Sequence, residues 1–230
     1  MGRIGVVKMA HRKAKQATRY LLILVLATLG CVSNSSAETQ IPVTLAAVQQ
    51  ELRLAAQGVE TLQSDILQEK HLAMFAETLR STGRFVFARP DKLRWEMLKP
   101  VASGFVLQGE AGTRWNALSK EVGAFNVSAD PIMGMVSQQL LAWARVDLDW
   151  LNKRYGMELI CAQPVILRLL PLDPGEAQMI ESLRIEFAPD RSHVAEVVMY
   201  EQGGDHTRMI FSAVQVNAPL SSTAFEAPKF

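Results

Sequence analysis

Arg84-Phe85-Val86-Phe87-Ala88-Arg89, then Pro90-Asp91, then Lys92-Leu93-Arg94-Trp95-Glu96-Met97-Leu98, carries the clearest structural signal in the chain. Side chains alternate between the two faces of a strand, so Phe85, Phe87 and Arg89 share one face. In the second run Leu93, Trp95 and Met97 share a face, while Arg94 and Glu96 point the other way. Pro90-Asp91 is a turn signal, so the two runs read as neighbouring antiparallel strands with one apolar side. Arg89 is the unusual member, a guanidinium at the end of an apolar row. A lone buried Arg is costly without hydrogen-bond partners. Two readings stand. Either the side chain ends the strand and reaches water, or it sits at the mouth of an apolar cavity and donates to backbone carbonyls of a lid helix.

The same rhythm continues on both sides. Residues 104–108 (GFVLQ), 113–118 and 122–127 follow as short strands, and 156–163, 165–170, 182–187, 194–201 and 206–216 resume the pattern later. Short Gly, Pro and charged turns separate them, with Gln202-Gly203-Gly204-Asp205 reading as a hairpin turn. Connections this short suit an antiparallel meander and not βαβ units, which need a long crossover. Residues 43–56 (VTLAAVQQELRLAA) keep an apolar stripe at three-to-four spacing and predict a helix, with Gly58 as its C-terminal cap. Residues 131–146 (PIMGMVSQQLLAWARV) predict a second helix, capped by Asp130 and opened by Pro131, though Gly134 lowers its intrinsic helicity. Residues 147–154 read as more helix or turn. The fold class is mainly β with helices (α+β): a strongly curved antiparallel sheet, or unclosed β-barrel, covered by helices.

The first 37 residues differ from the rest. They hold six basic side chains and no acidic one, and run into the apolar stretch 21–29 (LLILVLATL). About ten apolar residues are too few to cross a bilayer as a helix but have the length of a signal-peptide core. Residues 1–37 therefore read as an export signal, with Met9 a more usual start, and 38–230 as one domain. Two processing schemes remain open. Ser35-Ser36-Ala37 before Glu38 suits cleavage to a free periplasmic protein, which is the favoured scheme; Thr28-Leu29-Gly30-Cys31 resembles a lipoprotein box that would leave Cys31 lipidated. Without residues 1–37 the chain has 18 basic against 23 acidic side chains, a net charge of −5. A mildly acidic domain is poorly suited to nucleic acid or to anionic membrane surfaces. Cys31 and Cys161 are the two cysteines, and either scheme leaves one thiol in the domain, so an apolar interior must hold the fold without an internal disulfide.

Chemistry is hard to find. His71, His193 and His206 lie far apart, with no second His, Cys or carboxylate at ligand spacing. No nucleophile elbow, Walker loop or dinucleotide fingerprint occurs. An enzyme is not expected, nor a cofactor or a metal. A hydrolase with a site assembled from distant residues is the alternative, and activity on acyl esters would support it.

The run Ser81-Thr82-Gly83-Arg84 through Trp95-Glu96, with Arg89-Pro90 at its centre, resembles the core of the outer-membrane lipoprotein carrier family (LolA-type). The resemblance extends through Pro100 and Gly109 to Ala224-Phe225-Glu226-Ala227-Pro228. It implies an unclosed barrel with an apolar cavity for the acyl chains of a lipoprotein. It also implies passage of that cargo from an inner-membrane exporter to an outer-membrane acceptor. By the same resemblance Phe85, Phe87, Leu93, Trp95, Met97, Phe105 and Leu107 line the cavity. Arg89 matches the family's lid latch, and Ile132, Met133, Met135 and Val136 belong to the lid segment. A Met-rich lid suits release, because thioether chains repack easily. The segment 110–115 departs from the family pattern, and Arg114 and Asn116 are more polar than expected there, which leaves the cargo open to a specialised acyl lipid or glycolipid. A monomeric periplasmic carrier is the leading expectation. The alternatives are an outer-membrane acceptor lipidated at Cys31 and an envelope sensor of the same fold that binds a protein at its sheet edge.

Overall fold

The computed structural model describes residues 43–75 and 77–229; the export signal and the Cys31 reading lie outside them. Helix α1 (Leu45–Ala56) leads into β1 (Thr61–His71), β2 (Thr78–Ala88), β3 (Lys92–Lys99), β4 (Ser103–Gln108), β5 (Ala111–Asn116) and β6 (Glu121–Asn126). Helices α2 (Pro131–Arg145) and α3 (Leu148–Arg154) follow. The chain then runs through β7 (Tyr155–Ala162), β8 (Val165–Pro171), the short α4 (Pro174–Ala177), β9 (Ile180–Phe187), β10 (Val194–Glu201) and β11 (His206–Val216). All eleven strands join one antiparallel sheet in the order β6-β5-β4-β3-β2-β1-β11-β10-β9-β8-β7. The sheet does not close, since β6 and β7 are its two ends. It is thus two meanders, β1–β6 and β7–β11, joined where β1 pairs with β11.

That joining strand is the one strand the sequence pattern does not reveal. In Thr61–His71 the inward residues are Leu62, Ser64 and Ile66, while the apolar Leu67 breaks the alternation. Long-range pairing on both sides overrides a weak local pattern. Strand β2 likewise starts at Thr78, six residues before its apolar run, because its polar first half pairs with the polar second half of β1.

The central hairpin is in the expected register, with Phe85 opposite Trp95 and Phe87 opposite Leu93. Trp95 and Leu93 then face Phe105 and Leu107 on β4. Gly83 sits at a register shift in β2, where an added Cβ would collide with the backbone carbonyl of Glu96, so the close approach of β2 and β3 requires glycine. The Gly203-Gly204 turn takes positive φ at both residues, +98° and +94°, as a tight hairpin needs.

The helices lie against the inner face. Val48, Leu52 and Ala56 of α1, and Leu140, Ala142 and Trp143 of α2, are buried in one core cluster with Phe87, Leu93, Leu167 and Ile185 from both halves of the sheet. Asp130 caps α2 by accepting from the Met133 N–H at 3.1 Å. Gly134, weak as a helix former, has a packing reason, because a Cβ there would lie 2.5 Å from the Val127 carbonyl oxygen. The cap expected at Gly58 is not formed. Gln57, in right-handed geometry, ends α1, and the freed carbonyls are met by a side chain from the end of β2.

The outer face carries a charged network over β1 and β9–β11. Arg208 pairs with Glu196 at 2.6 Å and Glu69 at 3.4 Å, and Arg184 pairs with Glu186 and Glu196. The C-terminal segment crosses this face over β3 and β4. It is held by Arg94, which donates to the carbonyls of Ala224 and Glu226 while pairing with Glu96.

Candidate functional site: an apolar hollow with one polar wall

Between α2 and the inner face of the sheet lies a hollow of about 360 Å³. Helix α2 supplies Met135, Val136, Gln139, Leu140 and Trp143, residues on one face by their three-to-four spacing. The sheet supplies Trp95 from β3 and, across the junction, Leu183, Met199 and Met209 from β9, β10 and β11. Leu183 is paired with Met199, so strand alternation turns both inward together. Two tryptophans and three methionines give the wall large, polarizable and adaptable surfaces.

Tyr155, Glu176 and Ile180 complete the lining. Asp173 caps α4 by accepting from the Glu176 N–H at 2.8 Å, which fixes that residue's backbone. The Glu176 carboxylate accepts from the Tyr155 hydroxyl at 2.5 Å and from Arg154 at 3.0 Å, with its side chain 11% exposed. Arg154 also stacks over the Trp150 ring at 5.0 Å. Burial pushes the Tyr155 pKa above its ordinary value, and the hydrogen bond to Glu176 adds to the rise, so the phenol keeps its proton. That single proton has a second oxygen, Gln139 Oε1, at 2.9 Å, while Gln139 Nε2 is buried without a partner. Exchanging the ends of the amide lets Nε2 donate to Tyr155 and lets Tyr155 donate to Glu176, which suits the donor count.

The residues singled out in the sequence fall into several environments. Trp95, Met135 and Val136 line the hollow. Phe87, Leu93 and Leu107 are at most 1% exposed and belong to the solid core. Phe85 is also buried, edge-on to Trp95 and Phe211, and borders a void of about 20 Å³ and a polar groove of about 210 Å³ with Asp65 and Arg84, not the hollow. Met97 packs partly buried on the core. Phe105 and Met133 border a separate groove with Arg114, Asn116 and Gly123 at the β4–β6 end of the sheet. Ile132 is 70% exposed. Arg89 is half-buried and donates from Nε to the Val59 carbonyl at 2.7 Å and from a terminal nitrogen to the Ala56 carbonyl at 3.1 Å. Its acceptors are at the end of α1 and just beyond, not on the helix at 131–145. Helix α2 is tied instead by its own Arg145, which donates to the Pro90 carbonyl.

Leu183, Met199, Met209, Tyr155 and Glu176 are not singled out by sequence reasoning. The alternation that marks 182–187, 194–201 and 206–216 as strands also marks which residues face inward. Which inward residues meet a space and which meet a helix depends on where α1 and α2 lie, and no local pattern encodes that.

Among the described residues no group of three or more His, Cys, Asp or Glu could hold a metal, and no helix is long and apolar enough to cross a membrane. Ser192, His193 and Asp190 are close together, but Ser192 Oγ meets His193 Nδ1 at 2.8 Å and Asp190 approaches the same nitrogen at 3.9 Å. A catalytic triad needs the carboxylate on the opposite ring nitrogen, so this cluster is a turn in which Asp190 accepts from the Ser192 N–H. Burial pushes the His193 pKa below its ordinary 6.5, with Asp190 acting in the opposite direction. The unfolded chain therefore binds this proton more readily, so the neutral imidazole's contribution is present above 6.5 and is lost as pH falls below 6.5 through the lowered folded pKa. The urea midpoint should drop between about pH 7.5 and about pH 5.5, and His193→Gln should flatten that part of the profile. An unchanged slope in the variant would assign the acid sensitivity to other groups.

An unclosed antiparallel sheet folded around helices, with an apolar hollow beneath one of them, defines a half-barrel with room for an apolar ligand. The chain belongs to the family described as outer membrane lipoprotein carrier protein LolA, which it matches over residues 57–228. A curated relative, an outer-membrane lipoprotein carrier protein of Pseudoalteromonas translucida (strain TAC 125), is 20% identical over 152 residues, covering 64% of this chain and 67% of that one. An uncharacterized conserved protein from Thermus thermophilus shares the fold, with a TM-score of 0.50 and 8% identity, covering 80% of this chain and 93% of that one. The MucA/MucB complex structure of Pseudomonas aeruginosa is similar with a TM-score of 0.47 and 16% identity, over 79% of this chain. This chain spans 61% of that one.

Proposed function

We propose that this chain is a periplasmic carrier that shelters the acyl chains of a lipoprotein, or of a related lipid, and moves them from the inner to the outer membrane. The observation that carries the reading is the hollow of about 360 Å³ walled by Trp95, Val136, Leu140, Trp143, Met199 and Met209. Its volume falls in the range of about 300–1,000 Å³ usual for small-ligand sites. Each methylene taken from water into such a space is worth about 0.8 kcal/mol, so an acyl chain can be held outside a bilayer. Family membership and the carrier relative support the cargo class. The role is non-enzymatic. An inner-membrane exporter would load the monomer and an outer-membrane acceptor would unload it. Native mass spectrometry of the protein purified from its own envelope should find an acylated lipoprotein or lipid bound. Protein that is always empty and takes up no acyl probe would end this reading.

Arg89 acts in this scheme as a reversible tie. Its two hydrogen bonds hold the end of α1 against the end of β2, and carbonyls released from Arg89 can be satisfied by water. Arg89→Leu should still load a fluorescent acyl probe but hand it to acceptor vesicles more slowly. Transfer at the parent rate would remove Arg89 from the mechanism.

The sequence Thr28-Leu29-Gly30-Cys31 favours a second form of the same protein, anchored at the outer membrane and receiving cargo. Mass spectrometry of the mature N-terminus should find Glu38 as a free first residue. An acylated Cys31 would assign the chain to the anchored form.

A further inference from the structure

The hollow on which the proposed function rests carries a single carboxylate. Glu176 lines it, while the countercharge, Arg154, stacks on Trp150 and is not part of the wall. Each carboxylate oxygen has two acceptor positions. Tyr155 fills one on Oε1 and Arg154 fills one on Oε2, so what remains can accept hydrogen bonds but cannot donate them. We infer that Glu176 selects the cargo by its head: the hollow takes acyl chains whose head is uncharged and donates hydrogen bonds, and rejects chains ending in an anion. An amide N–H or a glycerol hydroxyl would complete the free acceptor positions. A carboxylate or phosphate would meet the Glu176 carboxylate before the guanidinium behind it, and the charge that Arg154 leaves uncompensated repels an anion more strongly there than in water. The inference gives the carrier a means of discrimination that apolar walls lack. Burial of methylenes rewards every acyl chain alike, so rejection of competing anionic amphiphiles needs a repulsive element.

The test compares two ligands with the same tail, dodecanoate and 1-dodecanoylglycerol, each below its micelle-forming concentration at neutral pH. Binding to the purified protein is read from tryptophan emission, since Trp95 and Trp143 both line the hollow. The glycerol ester should bind about tenfold or more tighter than dodecanoate. Glu176→Gln should strengthen dodecanoate binding until the two differ by less than about threefold, because the repelling charge is gone and Arg154 is left without its partner. Equal binding of both ligands by the parent protein overturns the selection while leaving the carrier reading intact, and it decides the matter even if the variant is unstable. A preference that survives in a folded Glu176→Gln protein also overturns it. If the parent binds neither ligand, the carrier reading fails and the selection fails with it.

Discussion

Met199→Glu should weaken uptake of an acyl probe by about a hundredfold or more while leaving the sheet folded. Met199 lies on β10, half-buried, with its side chain on the wall of the hollow. A carboxylate there gains access to solvent through the hollow, so the fold tolerates it, but an acyl chain would have to bury that charge unpaired. Glu176 lines the same space, and a second carboxylate adds to the cost. The affinity loss should be about a hundredfold or more, equivalent to about 2.7 kcal/mol. Fluorescence titration beside a thermal melt separates the two effects. Parent-like binding by a folded variant would show that the acyl chain lies elsewhere.

Phe87→Ala should destabilise the protein by about 3–5 kcal/mol. Phe87 is fully buried, opposite Leu93 on the neighbouring strand and inside the core cluster shared with the helices. Removing the ring leaves a cavity that surrounding residues refill only in part. Urea unfolding should show a lower midpoint with an unchanged slope, and the fraction that stays folded should bind the acyl probe as the parent does. A loss of binding without loss of stability would move Phe87 from the core to the ligand. Phe87→Glu follows the same logic: with no room and no partner for the charge, it should unfold the protein instead of specifically blocking the hollow.

The contrast between Met199 and Phe87 shows what a local pattern can and cannot carry. Alternation from 84 to 98 fixes that Phe85, Phe87, Leu93, Trp95 and Met97 turn one way, and the two strands pair in the register that this implies. Caps at Asp130 and the spacing of Leu140 and Trp143 likewise mark α2 before any coordinates. Thr61–His71 escapes because a strand held on both sides by partners needs little apolar periodicity of its own. Whether an inward residue is packed or faces open space depends on the helices laid against it. Of the seven residues assigned to a cavity, Trp95 borders the hollow of about 360 Å³, and the opposite wall comes from strands some hundred residues further along the chain. Glu176 escapes for a related reason. It lies in a four-residue helix whose importance comes only from Tyr155 and Arg154 meeting it.

The strands that end the sheet, β6 and β7, share no ladder with each other. A closed ring of strands has a circumference set by its hydrogen bonds, and swelling it means breaking some of them. Here no ladder links β6 to β7, so, like an unbuttoned cuff, the two meanders are not held to one girth by backbone hydrogen bonds. Girth is then governed by side-chain contacts, which reform at small cost, and under the proposed carrier role tails of different lengths would enter without melting any part of the wall.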